Sequence, residues 1–442
     1  MIKFFNTLAH REENFEPLKD KTVSMYVCGP TVYDFDHLGH ARTFIIFDCL
    51  RRFLTSQGYK VKFVQNITDV GHLTDDADQG EDKIEKKAKQ EKIDPFKIAK
   101  KFEEEHFKDM DALNVLKPDI SARATEHIQD IIKFIEELIE KKHAYVISGN
   151  VYFNVGSFPE YGKLSGRKVD DLLEAVRIEK DPLKKNPADF ALWKKADRNH
   201  IMQWDSPWGK GYPGWHIECS AMSQKYLGDT IDIHSGSNDI IFPHHEDEIA
   251  QSEGRTGKPF VKYWLHSGLV TIKGQKMSKS SGNFITIKDI LKKYDADTIR
   301  IAFLRTHWRK PFDWEERSFE EAKIMARRLE RGRLEAKDYE TQYRTEITKA
   351  LEDDFNTPKA LSIIFEDLSC LSCSDFDFVE QVFGLKMEKK VKLTPEQEKM
   401  VKERENARKN GDFEKADQIR RSLEKEGVTL EDTNKGTRIL TF

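Results

Sequence analysis

The chain is 442 residues long, so by size alone we expect roughly two to four domains rather than one core. Charged residues (34%) nearly balance hydrophobic ones (38%), and no apolar stretch is long enough to span a bilayer, so we expect no membrane partner. The net charge of −4 does not indicate a nucleic-acid binder, although phosphate contacts need only a local basic surface. Five cysteines do not suit a disulfide framework, and the N-terminus lacks a signal-peptide pattern, so the sequence predicts a cytoplasmic protein.

The N-terminal part has the pattern of an α/β nucleotide-binding unit. The apolar run from Thr22 to Cys28 predicts a buried strand, and residues 41–57 have a helical periodicity that Gly58 interrupts. Residues 59–68 predict the next strand. Strand, loop, helix and strand in this order are typical of a parallel sheet.

The middle of the chain is predicted to interrupt that sheet. Residues 81–142 predict charged helices, and the more irregular residues 150–205 indicate an insertion between two halves of the sheet. Residues 231–236 predict a returning strand. A helix is predicted just after Pro243, because proline is tolerated in a first helical turn.

The character of the sequence changes again beyond Lys310. Residues 315–351 and 358–371 predict amphipathic helices of a bundle. Residues 394–426 predict two more charged helices, and a β-hairpin is predicted around residues 434–436.

Four scattered residues, Cys28, Cys219, His244 and Glu248, make a plausible zinc shell. On a helix, the four-residue spacing of His244 and Glu248 places both side chains on one face. Two interpretations stay open: a zinc ion that binds a substrate, or a closed architectural site. A closed site usually pairs its cysteines as CxxC, so the scattered ligands favour the first interpretation.

Other cysteines and a neighbouring histidine are assigned no chemistry. Cys370 and Cys373 form a CxxC in an apolar helical stretch, which predicts buried packing thiols. Cys49 is expected to face the interior from its helix. His245 would point about 100° away from His244 on a helix, so it is left out of the zinc shell.

The segment His37-Leu38-Gly39-His40 lies where the first strand gives way to a helix. Helix N-termini suit phosphate, so His37 and His40 could donate hydrogen bonds to phosphate oxygens, and Gly39 would let a base approach the backbone. By itself such a histidine pair is more often structural.

A second segment, KMSKS, lies between Gly274 and Gly282. Lys276 and Lys279 could hold a triphosphate, and Ser278 offers a hydroxyl donor; by itself this would be a basic surface loop. In this order and at this separation, the two segments are typical of adenylate-forming class I aminoacyl-tRNA synthetases.

Longer segments narrow the resemblance to one family. The chain resembles the cysteinyl-tRNA synthetases, from about residue 5 to the C-terminus, in MYVCGPTVYDFDHLGH, GWHIECSAM, DIHSGSNDIIFPHHEDEIAQSE, HSGLV, KMSKSSGNF and LEDDFNTPKAL. This implies a Rossmann-type parallel-sheet catalytic domain split by an insertion, then helical stem-contact and helical-bundle regions and a small α/β anticodon-binding part. The expected boundaries are 1–115 and 209–255 for the catalytic halves, 116–208 for the insertion, 256–325 for the stem-contact region with the KMSKS loop, 326–392 for the bundle and 393–442 for the C-terminal part.

The resemblance also assigns roles to matched positions. It implies that Cys28, Cys219, His244 and Glu248 bind zinc. It implies that His37, His40, Lys276 and Lys279 act in catalysis, with Gly39 and Ser278 joining them at ATP. The residues matched to the amino-acid pocket are Gly29, Thr68, Trp215, His234 and Asp239.

The implied reaction is ATP-dependent activation of L-cysteine to cysteinyl-adenylate, followed by transfer to the 3′ end of tRNA(Cys), giving Cys-tRNA(Cys), AMP and pyrophosphate. The expected cofactors are one Zn²⁺ per chain and ATP with Mg²⁺ as substrate, in a monomer. Zinc would bind the substrate thiolate at about 2.3 Å and reject serine, whereas a hydrophobic pocket separates near-isosteres by only roughly 1–3 kcal/mol.

Two departures and two rivals remain. Residues 70–83, including His72, look like a short insertion, and Ser235 and Ser237 stand where glycines are more usual in the family. One rival is a cysteine ligase that transfers its adenylate to an amino sugar, and such relatives lack the anticodon-binding end. The other is a catalytically silent RNA-binding paralogue, which has no need of HLGH, KMSKS and the zinc set together.

Overall fold

The structure is a computed structural model that describes residues 1–74, 80–167, 182–277, 284–387, 393–426, 428–433 and 436–441. It divides into two compact units, residues 1–385 and 386–442. Within the described ranges, no helix is both long enough and apolar enough to cross a membrane.

The first unit contains both strands and helices. Its strands are β1 Lys3–Asn6, β2 Arg11–Asn14, β3 Thr22–Val27, β4 Lys60–Ile67, β5 Ile120–Arg123, β6 Ala144–Ile147, β7 Asn150–Phe153, β8 Phe190–Lys195, β9 Gly211–Pro213, β10 Ile231–Ser237, β11 Val261–Ser267, β12 Val270–Ile272, β13 Gln275–Lys276 and β14 Phe312–Asp313. Its helices are α1 Leu38–Ser56, α2 Lys83–Glu91, α3 Pro95–Ala112, α4 Ile128–Glu140, α5 Trp215–Leu227, α6 Glu246–Thr256, α7 Ile287–Leu291, α8 Ala296–Leu304, α9 Glu316–Glu335, α10 Tyr343–Glu352, α11 Thr357–Glu366 and α12 Cys373–Phe383.

A five-stranded parallel sheet, in the order β11-β10-β3-β4-β5, forms the centre of this unit. Its central strand β3 ends in three fully buried residues, as expected when helices cover both faces of a parallel sheet. Chain order reverses between β3 and β10, and ligands bind such sheets at the carboxyl edge beside this reversal. Cys28 and Thr68 directly follow β3 and β4, so the sheet delivers both residues to that edge.

An antiparallel sheet in the order β6-β7-β8-β9 interrupts the parallel one. Three of its strands lie within the predicted insertion 116–208, but β9 follows that range, and β5, inside it, belongs to the parallel sheet. The predicted interrupted parallel sheet is therefore confirmed, as is the returning strand β10.

The small sheet β13-β12-β14, which carries Lys276, is tied to α1 by a buried arginine. The Arg42 guanidinium is fully buried and donates to the carbonyl oxygens of Gly268 (2.7 Å), Leu269 (2.9 Å) and Lys310 (2.5 Å). No carboxylate of the described residues lies within 4 Å of it. Arg42 thus holds together the segments that lead into β12 and β14.

The predicted helix over 358–371 is wrong at its end. Helix α11 stops at Glu366, because Asp367 leaves the helical conformation (φ −150°) and its side chain accepts from the Ser369 N–H. Cys370 therefore lies in a 3-10 turn and is exposed, not buried as predicted, while Cys373 is partly buried. Cys49 is buried in α1, as predicted.

The second unit is a helical pair with a hairpin. Its elements are α13 Pro395–Lys409, α14 Phe413–Lys425, β15 Val428–Thr433 and β16 Gly436–Thr441. Val401, Leu423, Val428 and Leu430 form its core. Both predicted helices and the antiparallel hairpin are confirmed, although Asn434 and Lys435 themselves lie outside the described residues.

Candidate metal and nucleotide site

Four ligand atoms converge at the carboxyl edge of the sheet. Cys28 follows β3, and Cys219 lies in the first turns of α5. His244 lies in the irregular turn Ile241–His245 just before α6, and Glu248 lies in the first turn of α6. One ligand atom of each lies within 4.8 Å of all the others. Two thiols, one imidazole and one carboxylate fit the ligand preferences of zinc.

Burial favours the uncharged forms of the four side chains in this cluster. Cys219 and Glu248 are fully buried and His244 is 1% exposed. Burial raises the pKa of the Cys28 and Cys219 thiols and raises that of the Glu248 carboxyl well above its usual range. Burial also holds the pKa of His244 well below its usual value. These directions favour protonated thiols, a protonated carboxyl and a neutral imidazole, and a cation that binds there would displace protons from the thiols and the carboxyl.

Two more histidines belong to this cluster. His234 Nε2 lies 2.8 Å from Glu248 Oε2, so this histidine, which was expected in the amino-acid pocket, contacts a proposed zinc ligand. His245 Nε2 lies 3.2 Å from Cys28 Sγ, and Cys28, His234, His245 and Glu248 form a second convergent set.

The prediction that His245 points away from the cluster is wrong. The prediction assumed a regular helix from Pro243, but α6 begins only at Glu246, and Phe242 has an extended conformation (φ −131°, ψ 131°). The irregular turn between them aims both His244 and His245 inward, where both are buried.

The predicted pocket residues occupy three settings. Trp215 begins α5, and its ring stacks on His244 with centroids 4.3 Å apart. Gly29 donates to Asn66 Oδ1 (2.7 Å), and a Cβ at Gly29 would lie 1.8 Å from the Asn66 carbonyl oxygen, so only glycine fits there. Asp239 lies on an exposed 3-10 turn after β10.

Thr68 contacts Glu218, a buried residue that the sequence analysis did not single out. Its hydroxyl donates to Glu218 Oε2 (3.0 Å), and Glu218 is fully buried. Burial, with a smaller contribution from Cys219, raises the pKa of Glu218 well above its usual range. Its Oε1 has no hydrogen-bond partner among the described residues. The available signal was its position beside Cys219.

The HLGH segment forms the start of α1. His37 is the N-cap, and its Nδ1 accepts from the N–H groups of Gly39 (3.0 Å) and His40 (3.3 Å). The rings of His37 and His40 stack with centroids 3.8 Å apart. A Cβ at Gly39 would lie 2.8 Å from His37 Cε1, so the glycine is needed by the cap itself.

The described flanks of the KMSKS loop meet this helix start. Leu38 N–H donates to the Ile285 carbonyl (3.1 Å), and Ile287 N–H donates to the Asp36 carbonyl (3.0 Å). Lys276 lies in β13. Ser278 and Lys279 lie outside the described residues.

A buried carboxylate beside His40 was also missed. Asp36 Oδ2 lies 2.5 Å from His106 Nδ1, and Asp36 Oδ1 lies 2.8 Å from His40 Nδ1. Burial alone would raise the pKa of Asp36, but His106 and His40 outweigh it and hold the pKa well below its usual range. Only the i, i+4 spacing of Asp36 and His40 could have indicated this contact.

Three family models match the chain. Residues 14–324 match the class I (C) tRNA synthetase catalytic domain, residues 346–369 match the DALR domain, and residues 390–439 match the cysteinyl-tRNA ligase anticodon binding domain. Mycobacterium tuberculosis methionyl-tRNA synthetase with methionyl-adenylate has a similar fold, at a TM-score of 0.55 and 12% identity over 87% of this chain and 84% of that one. Agrobacterium radiobacter leucyl-tRNA synthetase, in a ternary complex, gives a TM-score of 0.57 at 11% identity over 84% of each chain. The fold and the catalytic-domain match define a class I tRNA synthetase.

Curated relatives resolve the family. The cysteine–tRNA ligase of Chlorobaculum tepidum is 44% identical over 98% of this chain and 98% of its own length. That of Deinococcus radiodurans is 46% identical over 99% and 96%, and that of Thermus thermophilus is 44% identical over 99% and 98%. The chain belongs to the cysteine–tRNA ligase family of enzymes.

Proposed function

We propose that this enzyme activates L-cysteine with ATP, holds the cysteine thiol on a zinc ion, and transfers the cysteinyl group to the 3′ end of tRNA(Cys). The observation that carries the proposal is the convergence of Cys28, Cys219, His244 and Glu248 in a buried cluster at the carboxyl edge of the sheet. When bound there, zinc supplies a soft Lewis acid that prefers a thiolate to the alcohol of serine.

The first chemical step needs positioning more than covalent catalysis. The cysteine carboxylate attacks the α-phosphorus of ATP, the bond to the bridging oxygen breaks, and pyrophosphate leaves with its Mg²⁺. His37, Gly39 and His40 start α1, where the helix N-terminus favours phosphate and the histidines can donate to it. Lys276, Ser278 and Lys279 are proposed to hold the departing phosphates, because the described flanks of their loop contact this helix start.

The amino-acid end is proposed to lie between Gly29, Thr68, Trp215, His234 and Asp239. Trp215 stacks on His244, and Thr68 donates to Glu218, the residue before Cys219. Both can therefore hold the cysteine next to the thiol-binding atoms. Asp239 is exposed at the end of β10, where its carboxylate can pair with an α-ammonium group.

The second unit is proposed to read the tRNA. It matches the anticodon binding model, and Phe413 at the start of α14 is 59% exposed. An exposed aromatic ring can stack on an unpaired base. This unit also argues against the cysteine ligase that uses an amino sugar as acceptor.

The test measures two reactions with the same zinc-loaded enzyme. Cysteine-dependent ATP–pyrophosphate exchange should be robust and serine-dependent exchange negligible, and cysteine-accepting tRNA should be charged with labelled cysteine. Exchange without charging would mean that the enzyme transfers the cysteinyl group to an acceptor other than tRNA. The absence of both reactions would favour the silent RNA-binding protein.

A further inference from the structure

His72 lies in the segment that departs from the family pattern, and it is built into the wall of the proposed pocket. It is 7% exposed, and its ring stacks on Trp215 with centroids 4.0 Å apart and planes 13° apart. Trp215 in turn stacks on His244, a proposed zinc ligand, at 4.3 Å and 25°. His72, Trp215 and His244 thus form one continuous run of stacked rings.

Both nitrogens of His72 are held by polar groups. Nδ1 lies 2.5 Å from Thr31 Oγ1, and Nε2 lies 2.8 Å from Lys83 Nζ. A protonated lysine can only donate, so Nε2 accepts, and the proton of a neutral imidazole is on Nδ1, facing Thr31. The plane of the ring is therefore fixed by two contacts at opposite sides of the imidazole.

The two partners of His72 are themselves anchored. Thr31 pairs with Thr68 at the carboxyl edge of the sheet. Lys83 is the first residue of α2, and the N-cap of that helix, Asp82, also accepts from the Gly71 N–H (2.9 Å). Through these contacts the described residues 71–72 and 82–83 connect the start of α2 with the sheet edge at His72.

We propose that His72 is a positioning residue that sets the orientation of Trp215 and thereby the fit of the pocket to the cysteine side chain, an inference that rests on the proposed function. A wall that is rigid before the substrate binds avoids the cost of ordering it during binding. His72 acts through Trp215, so it affects cysteine binding rather than zinc binding or ATP binding.

The experiment compares His72→Ala, which removes the ring, with His72→Phe, which keeps a stacking ring without the polar contacts. His200→Ala is the control, because His200 stacks on Tyr212 at a similar 4.2 Å and 16°, and its ionic neighbour, 3.5 Å away, is Glu85 of α2 and not a proposed zinc ligand. The measurements are the KM for cysteine and for ATP in pyrophosphate exchange, the calorimetric Kd for cysteine, the zinc content and Tm.

We expect His72→Ala to raise the KM and Kd for cysteine about tenfold, the effect of losing one well-placed aromatic contact. The KM for ATP and the zinc content should stay at wild-type values, and His72→Phe should recover most of the loss. His200→Ala should leave the cysteine values unchanged even where its Tm falls.

Unchanged cysteine values in His72→Ala, or a loss of zinc from it, would overturn the inference. So would equal defects in the His72 and His200 variants, which would indicate general destabilisation. If wild-type enzyme lacks exchange, the proposed function fails, yet the Kd for cysteine still compares the variants. If wild-type enzyme does not bind cysteine, both proposals fail.

Discussion

The cluster of Cys28, Cys219, His244 and Glu248 and the start of α1 lie in one compact unit, yet burial affects their charges in opposite ways. In the cluster, burial raises the pKa of Cys28 and Glu248 and lowers that of His244, so the uncharged forms of the free donors are favoured. At the helix start, His106 and His40 keep the equally buried Asp36 ionised. The first site favours uncharged donors that can accept a cation, whereas the second holds a buried carboxylate between two histidines before any ligand arrives.

The largest effect should come from Cys219→Ser in the buried cluster. Serine removes a soft ligand from a fully buried position, so bound zinc and cysteine-dependent exchange should fall together, with exchange reduced by about a hundredfold or more. Metal analysis of the purified protein and pyrophosphate exchange check this. Normal zinc with normal exchange would exclude Cys219 from the metal shell.

Arg42→Met tests the other region of the comparison, α1 and the segments it contacts. It would leave the carbonyl oxygens of Gly268, Leu269 and Lys310 without their donor, which should lower the free energy of unfolding by about 3 kcal/mol. The KM for ATP should rise, because β13 and its Lys276 lose their tie to α1. Urea unfolding and exchange kinetics measure both effects. Arg317→Ala, at an exposed arginine, is the control. A wild-type unfolding curve for Arg42→Met would contradict the role of Arg42 in holding together the segments that lead into β12 and β14.

Asp109→Asn tests the charge environment of Asp36 by changing how the stability of the protein depends on pH. Burial, with a smaller contribution from Asp36, raises the pKa of Asp109 to about 7, against about 3.9 in an unfolded chain. The folded protein therefore binds the extra proton between these values, and wild-type stability should fall as pH rises through that window. Asparagine cannot ionise, so the variant should be more stable by about 1–2 kcal/mol at pH 8 and equal at pH 4. Urea unfolding at both pH values measures this. The same difference in stability between variant and wild type at pH 4 and pH 8 would contradict ionisation of Asp109 as the cause.

The smallest effect is expected from Cys370→Ser, which compares an exposed thiol with the buried thiol of Cys219. Cys370 is exposed and belongs to neither convergent donor set, so zinc content and exchange should both match wild type. The same metal analysis used for Cys219→Ser measures it. A loss of zinc from this variant would mean that metal content does not report on the cluster alone.

Much of this architecture could be predicted from the sequence. The apolar run of β3 and the helical periodicity of α1 are local signals, and they identified the parallel sheet. The resemblance named four residues that converge in the structure, although they come from distant parts of the chain. Local patterns sufficed where each residue's neighbours in sequence are also its neighbours in space.

The failures have a common physical origin. His245 was missed because a helix was assumed where Phe242 takes an extended conformation. Asp36, His106 and Arg42 were missed because their partners lie on other elements, up to 268 residues away for Arg42 and Lys310. Side-chain contacts of this kind depend on the packed fold, and no sequence period records them.

The crowding at Gly39 changes how defects at this position should be interpreted. A glycine in a nucleotide-binding segment is usually taken as room for the ligand, but here the His37 ring already fills that space. A methyl group would push the imidazole away from the backbone groups that it caps. An inactive Gly39→Ala enzyme would therefore report a helix that starts incorrectly, and its circular dichroism should be examined before its kinetics are assigned to ATP.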